Sequence, residues 1–130
     1  MNDGDRRQGV SRTDEVFDHA GLLRRLCDDE DLVSEIIESY LQEVPQQISL
    51  LEGALAREDM DAAVLISHRL KGSSANVGAC ALQKVFGSLE SAARKGCKEE
   101  AGGLMGRIRR QVEIFAGMFN DEKTFSPHSR

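Results

Sequence analysis

Between Asp29 and Arg57 the apolar residues return every three or four positions, at Leu32, Ile36, Tyr40, Val44, Ile48, Leu51 and Leu55. That step follows one stripe of an α-helix and does not fit a strand, so the segment reads as a long helix buried along one side. Asp28 or Asp29 supplies its N-cap. Pro45 lies inside it, lacks an amide to donate and crowds the carbonyl of Leu41, which predicts a kink. A break is not expected, because the apolar register continues past the proline.

Other segments repeat the pattern. Asp14 to about Cys27 carries Val16, Phe17, Leu22, Leu23 and Leu26 on one side, which predicts a short first helix that Gly21 weakens. Asp59 caps a third helix running through Ala62, Ala63, Ile66 and Leu70 to about Asn76, where Asn76 and Gly78 suit a left-handed turn. Leu82, Val85, Phe86, Leu89 and Ala93 mark a fourth helix stopped by Gly96. Met105, Ile108, Val112, Phe115 and Phe119 mark a fifth, loosened at its start by Gly102, Gly103 and Gly106. No segment alternates as a half-buried strand does. The expected fold class is all-α, an antiparallel up-down four-helix bundle with a short additional N-terminal helix. Residues 14–119 form this domain, between a polar N-terminal tail at 1–13 and a C-terminal tail at 120–130.

The 130 residues suffice for one core, and with only 5% aromatic residues that core must be built mainly from Leu, Ile, Val and Ala rather than rings. A net charge of -5, from 22 acids and 17 bases, opposes the counterion release that drives nucleic-acid binding. The acids crowd residues 28–43, whereas Arg94, Lys95, Lys98, Arg107, Arg109 and Arg110 lie in the second half; both runs read as solvated helix faces. Cys27, Cys80 and Cys97 form no CxxC pair, which argues against a disulfide framework or a zinc site and fits a reducing cytoplasm. No stretch approaches the ~18–20 apolar residues needed to span a bilayer, and MNDGDRRQGV has no apolar core for a signal peptide. The expected protein is cytoplasmic, not membrane-bound and, with no apolar stripe left over, monomeric.

One histidine stands apart. At ~100° per residue, Ala63, Ile66, Ser67, Leu70, Ser74 and Val77 share one arc of the third helix and His68 points nearly the opposite way. Lys71 and Gly72 stand one turn on, Val64 one turn back and Ala75 two turns on. Such an imidazole is accessible and, when neutral, offers a nitrogen lone pair that can attack phosphorus. Lys71 would then meet the phosphoryl oxygens as a point charge. Gly72 would keep space open beside them, at a cost of about 1 kcal/mol of helix stability relative to Ala. Val64, Leu65 and Ala75 are the candidate docking residues. His19 and His128 lack this setting and read as surface residues. The chain has no GxxxxGK[ST] loop and no GxGxxG after a strand, so a phosphoryl group must come from another protein and leave to one.

Together these residues resemble the histidine-containing phosphotransfer (HPt) domain family. The resemblance rests on His68, Leu70, Lys71, Gly72, Ser73, Ser74, Gly78 and Ala79, with Leu51, Glu52, Ala54, Asp59, Leu82, Leu89 and Glu90 around them. It implies a four-helix bundle with His68 as phosphoacceptor at Nε2, no cofactor or metal bound by this chain, and magnesium on the partner. It also implies receiver domains as partners, one from a hybrid sensor histidine kinase and one from a response regulator. Two positions depart from the family pattern: Ser67 replaces a common alanine, and Glu90 stands where some members have a glutamine that holds the imidazole. Either Glu90 or Gln83 is therefore the candidate neighbour of the ring. The alternative function is a non-catalytic helical module that binds and sequesters a receiver, with His68 only a contact. A chemotaxis-type kinase would share the bundle but needs further domains.

Overall fold

The computed structural model describes residues 15–120. It contains α1 (His19–Arg25), α2 (Glu30–Ala56), α3 (Met60–Asn76), α4 (Cys80–Arg94) and α5 (Lys98–Asn120). Among the described residues there is no strand. The long helices α2 to α5 are joined by connections at 57–59, 77–79 and 95–97, too short for anything but antiparallel neighbours. The result is the expected up-down bundle with a short helix ahead of it. The tail expected at 1–13 lies outside the described residues, as do His128 and the rest of the chain after Asn120.

One hydrogen-bond pattern turns the chain at all three connections. At the end of α3, Gly78 donates to the carbonyl of Ala75 at 3.1 Å and Ala79 to that of Ser74 at 2.8 Å, the paired bonds of a Schellman turn. Gly96 and Cys97 repeat it after α4, both at 3.0 Å. Glu58 and Asp59 do so after α2, with Glu58 left-handed at φ 59°. After α3 only Gly78 is left-handed, at φ 75°, whereas Asn76 is the last helical residue. Asp29 and Asp59 cap α2 and α3 by accepting from the amides of Leu32 and Ala62, both at 3.1 Å.

Two expectations are corrected. The segment from Asp14 to Cys27 is not one helix: residues 15–16 are helical, the chain opens at Phe17 and Asp18, and α1 begins at His19. The break has a tertiary cause, because the Asp18 amide donates to the Gly78 carbonyl at 2.8 Å while its Oδ1 accepts from the Gly21 amide at 3.0 Å. Phe17 turns inward and packs edge-on against Phe115 and Phe119, with Tyr40 edge-on to Phe115. The buried stripe of α2 is also displaced at its ends. Val33, Ile37, Tyr40, Val44, Ile48, Leu51 and Ala54 are buried, whereas Leu32 is exposed and Ile36 and Leu55 only half-buried. Both sets satisfy helical spacing, and the packing of α2 against its neighbours decides between them. The helix continues through Pro45 as one element.

In α3 the buried face is Ala63, Ser67, Leu70 and Ser74, followed by Val77, while Ile66 is half-buried. Ser67 donates to the Ala63 carbonyl at 2.6 Å, which satisfies its buried hydroxyl. Ser74 shares a 2.5 Å hydrogen bond with the Tyr40 hydroxyl of α2. The second bond ties the buried face of α3 to α2, and His68 lies on the opposite, exposed face of α3.

Candidate functional site at His68

His68 projects from the solvent side of α3, with 61% of its side chain exposed. Its Nδ1 lies 3.2 Å from Oε2 of Glu90 on α4. Among the described residues the ring's other nitrogen, Nε2, has no hydrogen-bond partner. Glu90 is the anomaly of the site: it is an acid on the buried face of α4, with only 8% of its side chain exposed. Acids are rarely buried unless paired, and this one has three partners. Arg94, one turn on in α4, donates to Oε2 from Nη2 at 2.8 Å and from Nε at 3.3 Å. Lys71 Nζ reaches Oε1 at 3.0 Å, an ion pair without hydrogen-bond alignment.

Burial pushes the Glu90 carboxyl up, but the contacts from Arg94, Lys71 and His68 and the charge of Lys71 outweigh it and hold the pKa down at about 2. Glu90 is therefore a carboxylate, able only to accept, and Nδ1 of His68 must carry the proton that points at it. In the neutral ring the tautomer follows: hydrogen on Nδ1, lone pair on Nε2. Glu90 thus fixes both the rotation and the protonation pattern of an exposed ring.

The surroundings of the ring are open. A Cβ built on Gly72, one turn after His68, meets nothing within 4 Å. Gly87 of α4 matters differently, since a Cβ there would come 3.3 Å from Cδ of Lys71. Its missing side chain gives the lysine stem a path across α4 to Glu90. On the other side, Met60, Asp61, Val64, Ala93, Arg94, Lys95 and Gly96 line an open groove of about 390 Å³.

The structure therefore brings His68, Lys71 and Glu90 together and leaves Gln83 exposed on α4, with no hydrogen bond to the ring. Of the candidate docking residues Leu65 is exposed, Ala75 is half-buried with its carbonyl 3.4 Å from Arg25 Nη2, and Val64 differs from expectation. Set one turn back from the outward His68, Val64 is expected to face away from the core, but it is half-buried and packs against it, lining a groove with Ala93 and Arg94 of α4. His19 is exposed and pairs with Glu30 at 3.5 Å. No group of three or more His, Cys, Asp or Glu side chains suited to a metal ion occurs among the described residues. No described helix is long and apolar enough to cross a membrane.

Residues 35–116 match the family profile of the Hpt domain, more than half of the chain. The chain belongs to the Hpt domain family. It is 27% identical over 107 residues to the phosphorelay intermediate protein rdeA of Dictyostelium discoideum, a match covering 82% of this chain and 42% of that protein. The chain thus spans less than half the length of that relative. Among solved structures it is similar to histidine-containing phosphotransfer protein B of Pseudomonas aeruginosa PAO1, at 26% identity and a TM-score of 0.75, covering 85% of this chain and 95% of that one. The maize histidine-containing phosphotransfer protein ZmHP2 shares the fold, at 18% identity and a TM-score of 0.76, covering 95% of this chain and 93% of that one.

Two residues of this Hpt domain escape a reading of the sequence. Arg94 registers there only as part of a basic run, although its position four residues after Glu90 on one helix is a usable signal. Gly87 gives no signal at all, since its role depends on the path of a side chain from another helix.

Proposed function

We propose that this Hpt domain is a phosphorelay intermediate that carries a phosphoryl group on His68 between receiver-domain aspartates. The observation that carries the reading is the Glu90–His68 contact, which engages Nδ1 and leaves Nε2 of an exposed ring as the nitrogen available to a partner. In the forward step the Nε2 lone pair attacks the phosphorus of a partner's aspartyl phosphate. The N–P bond forms, and the P–O bond breaks with its electron pair leaving on the aspartate carboxylate. The proton stays on Nδ1, so the ring gains positive charge as the bond forms, and that charge faces the Glu90 carboxylate. Such stabilisation is preorganised, since Glu90 is held before the reaction begins. Lys71, one turn after His68, turns from Glu90 to meet the phosphoryl oxygens, and the space beside Gly72 admits them. The reverse step regenerates the lone pair and charges the next receiver.

In this reading the partners are the receiver domains of a hybrid sensor histidine kinase and of a response regulator, and magnesium is carried by the receiver. Leu65, Val64 and Ala75 contribute to the docking face, and the molecule works as a cytoplasmic monomer. A module that only sequesters a receiver has no use for a ring held in one tautomer, and this favours transfer. Incubation with a phosphorylated receiver is expected to label the protein with an acid-labile, base-stable phosphate that His68→Gln abolishes while the helical circular dichroism is kept. Label persisting in His68→Gln, or receiver binding with no label on the unaltered protein, would overturn the proposal.

A further inference from the structure

Glu90 has two cations where one would balance it, and they are held differently. Arg94 shares α4 with Glu90 and places both Nη2 and Nε on the same oxygen, Oε2, at 2.8 and 3.3 Å. Its hold does not depend on any other helix. Lys71 comes across from α3 on a flexible stem, touches Oε1 at 3.0 Å without hydrogen-bond alignment, and is 39% exposed. We propose that Arg94 is a positioning residue: it is the fixed counterion of Glu90, which frees Lys71 to leave the carboxylate for a phosphoryl group arriving on His68.

The argument is one of charge. A phosphoryl group on Nε2 brings added negative charge to the far side of the ring from Glu90. If Lys71 turned to meet it and Arg94 were missing, Glu90 would be left as an inadequately paired buried carboxylate, which is strongly unfavourable. Lys71 would therefore stay where it is. With Arg94 in place, the carboxylate remains compensated throughout and continues to accept from Nδ1. The groups facing Glu90 are His68 and Lys71 from α3 and Arg94 from its own helix. A glutamine at position 90 would need no such counterion, so the requirement for Arg94 follows from this chain's own acid. This role rests on His68 being the phosphoacceptor.

The test is a double-mutant cycle in the full chain, with R94Q, E90Q and R94Q/E90Q compared for transfer from a phosphorylated receiver and for phosphohistidine lifetime. Arg94 is 61% exposed, and R94K serves as the conservative control should R94Q fold poorly. R94Q is expected to slow transfer by about tenfold, the loss to fall to about twofold or less in the E90Q background, and R94K to restore most of the rate. Independently of any phosphate, nitrogen NMR of the Lys71 ammonium is expected to show slower proton exchange in R94Q, because the lysine is then the principal cation on Glu90. Equal losses from R94Q in both backgrounds, or unchanged exchange at Lys71, would overturn the role given to Arg94. Absence of label on the unaltered protein would instead overturn the phosphotransfer reading, so the two failures are distinguishable.

Discussion

The carboxylate of Glu90 on α4 meets Nδ1 of His68 on α3 at 3.2 Å, joining one of the most buried acids of the bundle to one of its most exposed rings. This contact ties the chemistry to the fold. The imidazole is oriented by a residue from the neighbouring helix, so the packing of α3 against α4 sets the direction of the reactive nitrogen. Anything that rotates α3 alters the site without touching it.

Glu90 also links the site to acid stability. Its folded pKa of about 2 lies below its ordinary value of 4.5, so between these values the unfolded chain binds more protons than the folded one. The stabilisation from its ionised form is complete above 4.5 and is lost as pH falls toward 2. Urea midpoints measured across that interval should fall with pH, and Glu90→Gln should flatten the fall. An identical slope in the variant would mean that other carboxylates govern acid unfolding.

Lys71→Ala separates the lysine's two contacts. Loss of the ammonium is expected to slow transfer or shorten the phosphohistidine lifetime, by about tenfold if the charge meets the phosphoryl oxygens. Thermal stability should change little, because Arg94 still pairs with Glu90. Time courses of labelled protein decide this: an unchanged rate together with an unchanged lifetime removes the lysine from the mechanism.

Gly72 should show stability and function moving in opposite directions. A Cβ there meets nothing in the free protein, so Gly72→Ala is expected to stabilise α3 by about 1 kcal/mol. The same methyl group stands one turn from His68, in the space a phosphoryl group or receiver must enter, and should reduce transfer. Denaturation and transfer assays on one preparation check both signs. A variant that is more stable and equally active would show that the open space has no part in transfer.

The helical periods, the Asp59 cap, the turn at Gly78 and the outward direction of His68 are all legible in the sequence, because each depends on local spacing and residue type. The displaced stripe at Val33 and Ile37 is not, since Leu32 and Ile36 fit the same period and only packing against other helices distinguishes them. Likewise the break at Phe17 and Asp18 depends on a hydrogen bond to Gly78, sixty residues away along the chain. At the site, the candidates Glu90 and Gln83 both lie on α4, and the choice between them needs the rotation of that helix against α3. The four-residue spacing of Arg94 from Glu90 is itself a sequence signal, whereas the lysine path beside Gly87 depends on how α3 crosses α4.

Tyr40 of α2 and Ser74 of α3 join the two helices inside the core. Their hydroxyls share a 2.5 Å hydrogen bond in the core, and Ser74 is fully buried. Burial, followed by smaller opposing and reinforcing effects of Ser74 and Glu43, raises the tyrosine pKa to about 12, so the phenol is neutral and able to donate. Tyr40→Phe leaves the Ser74 hydroxyl without its partner from α2 and is expected to cost about 1–3 kcal/mol. Urea denaturation gives that number. The ring of Tyr40 also packs edge-on against Phe115, and phenylalanine keeps this contact, so the loss reports the hydrogen bond. If the bond holds α3 in register, the variant should also broaden the His68 ring resonances, although residue 40 lies on a different helix from the histidine. A full loss of stability with sharp, unmoved His68 resonances would assign the bond to the core alone.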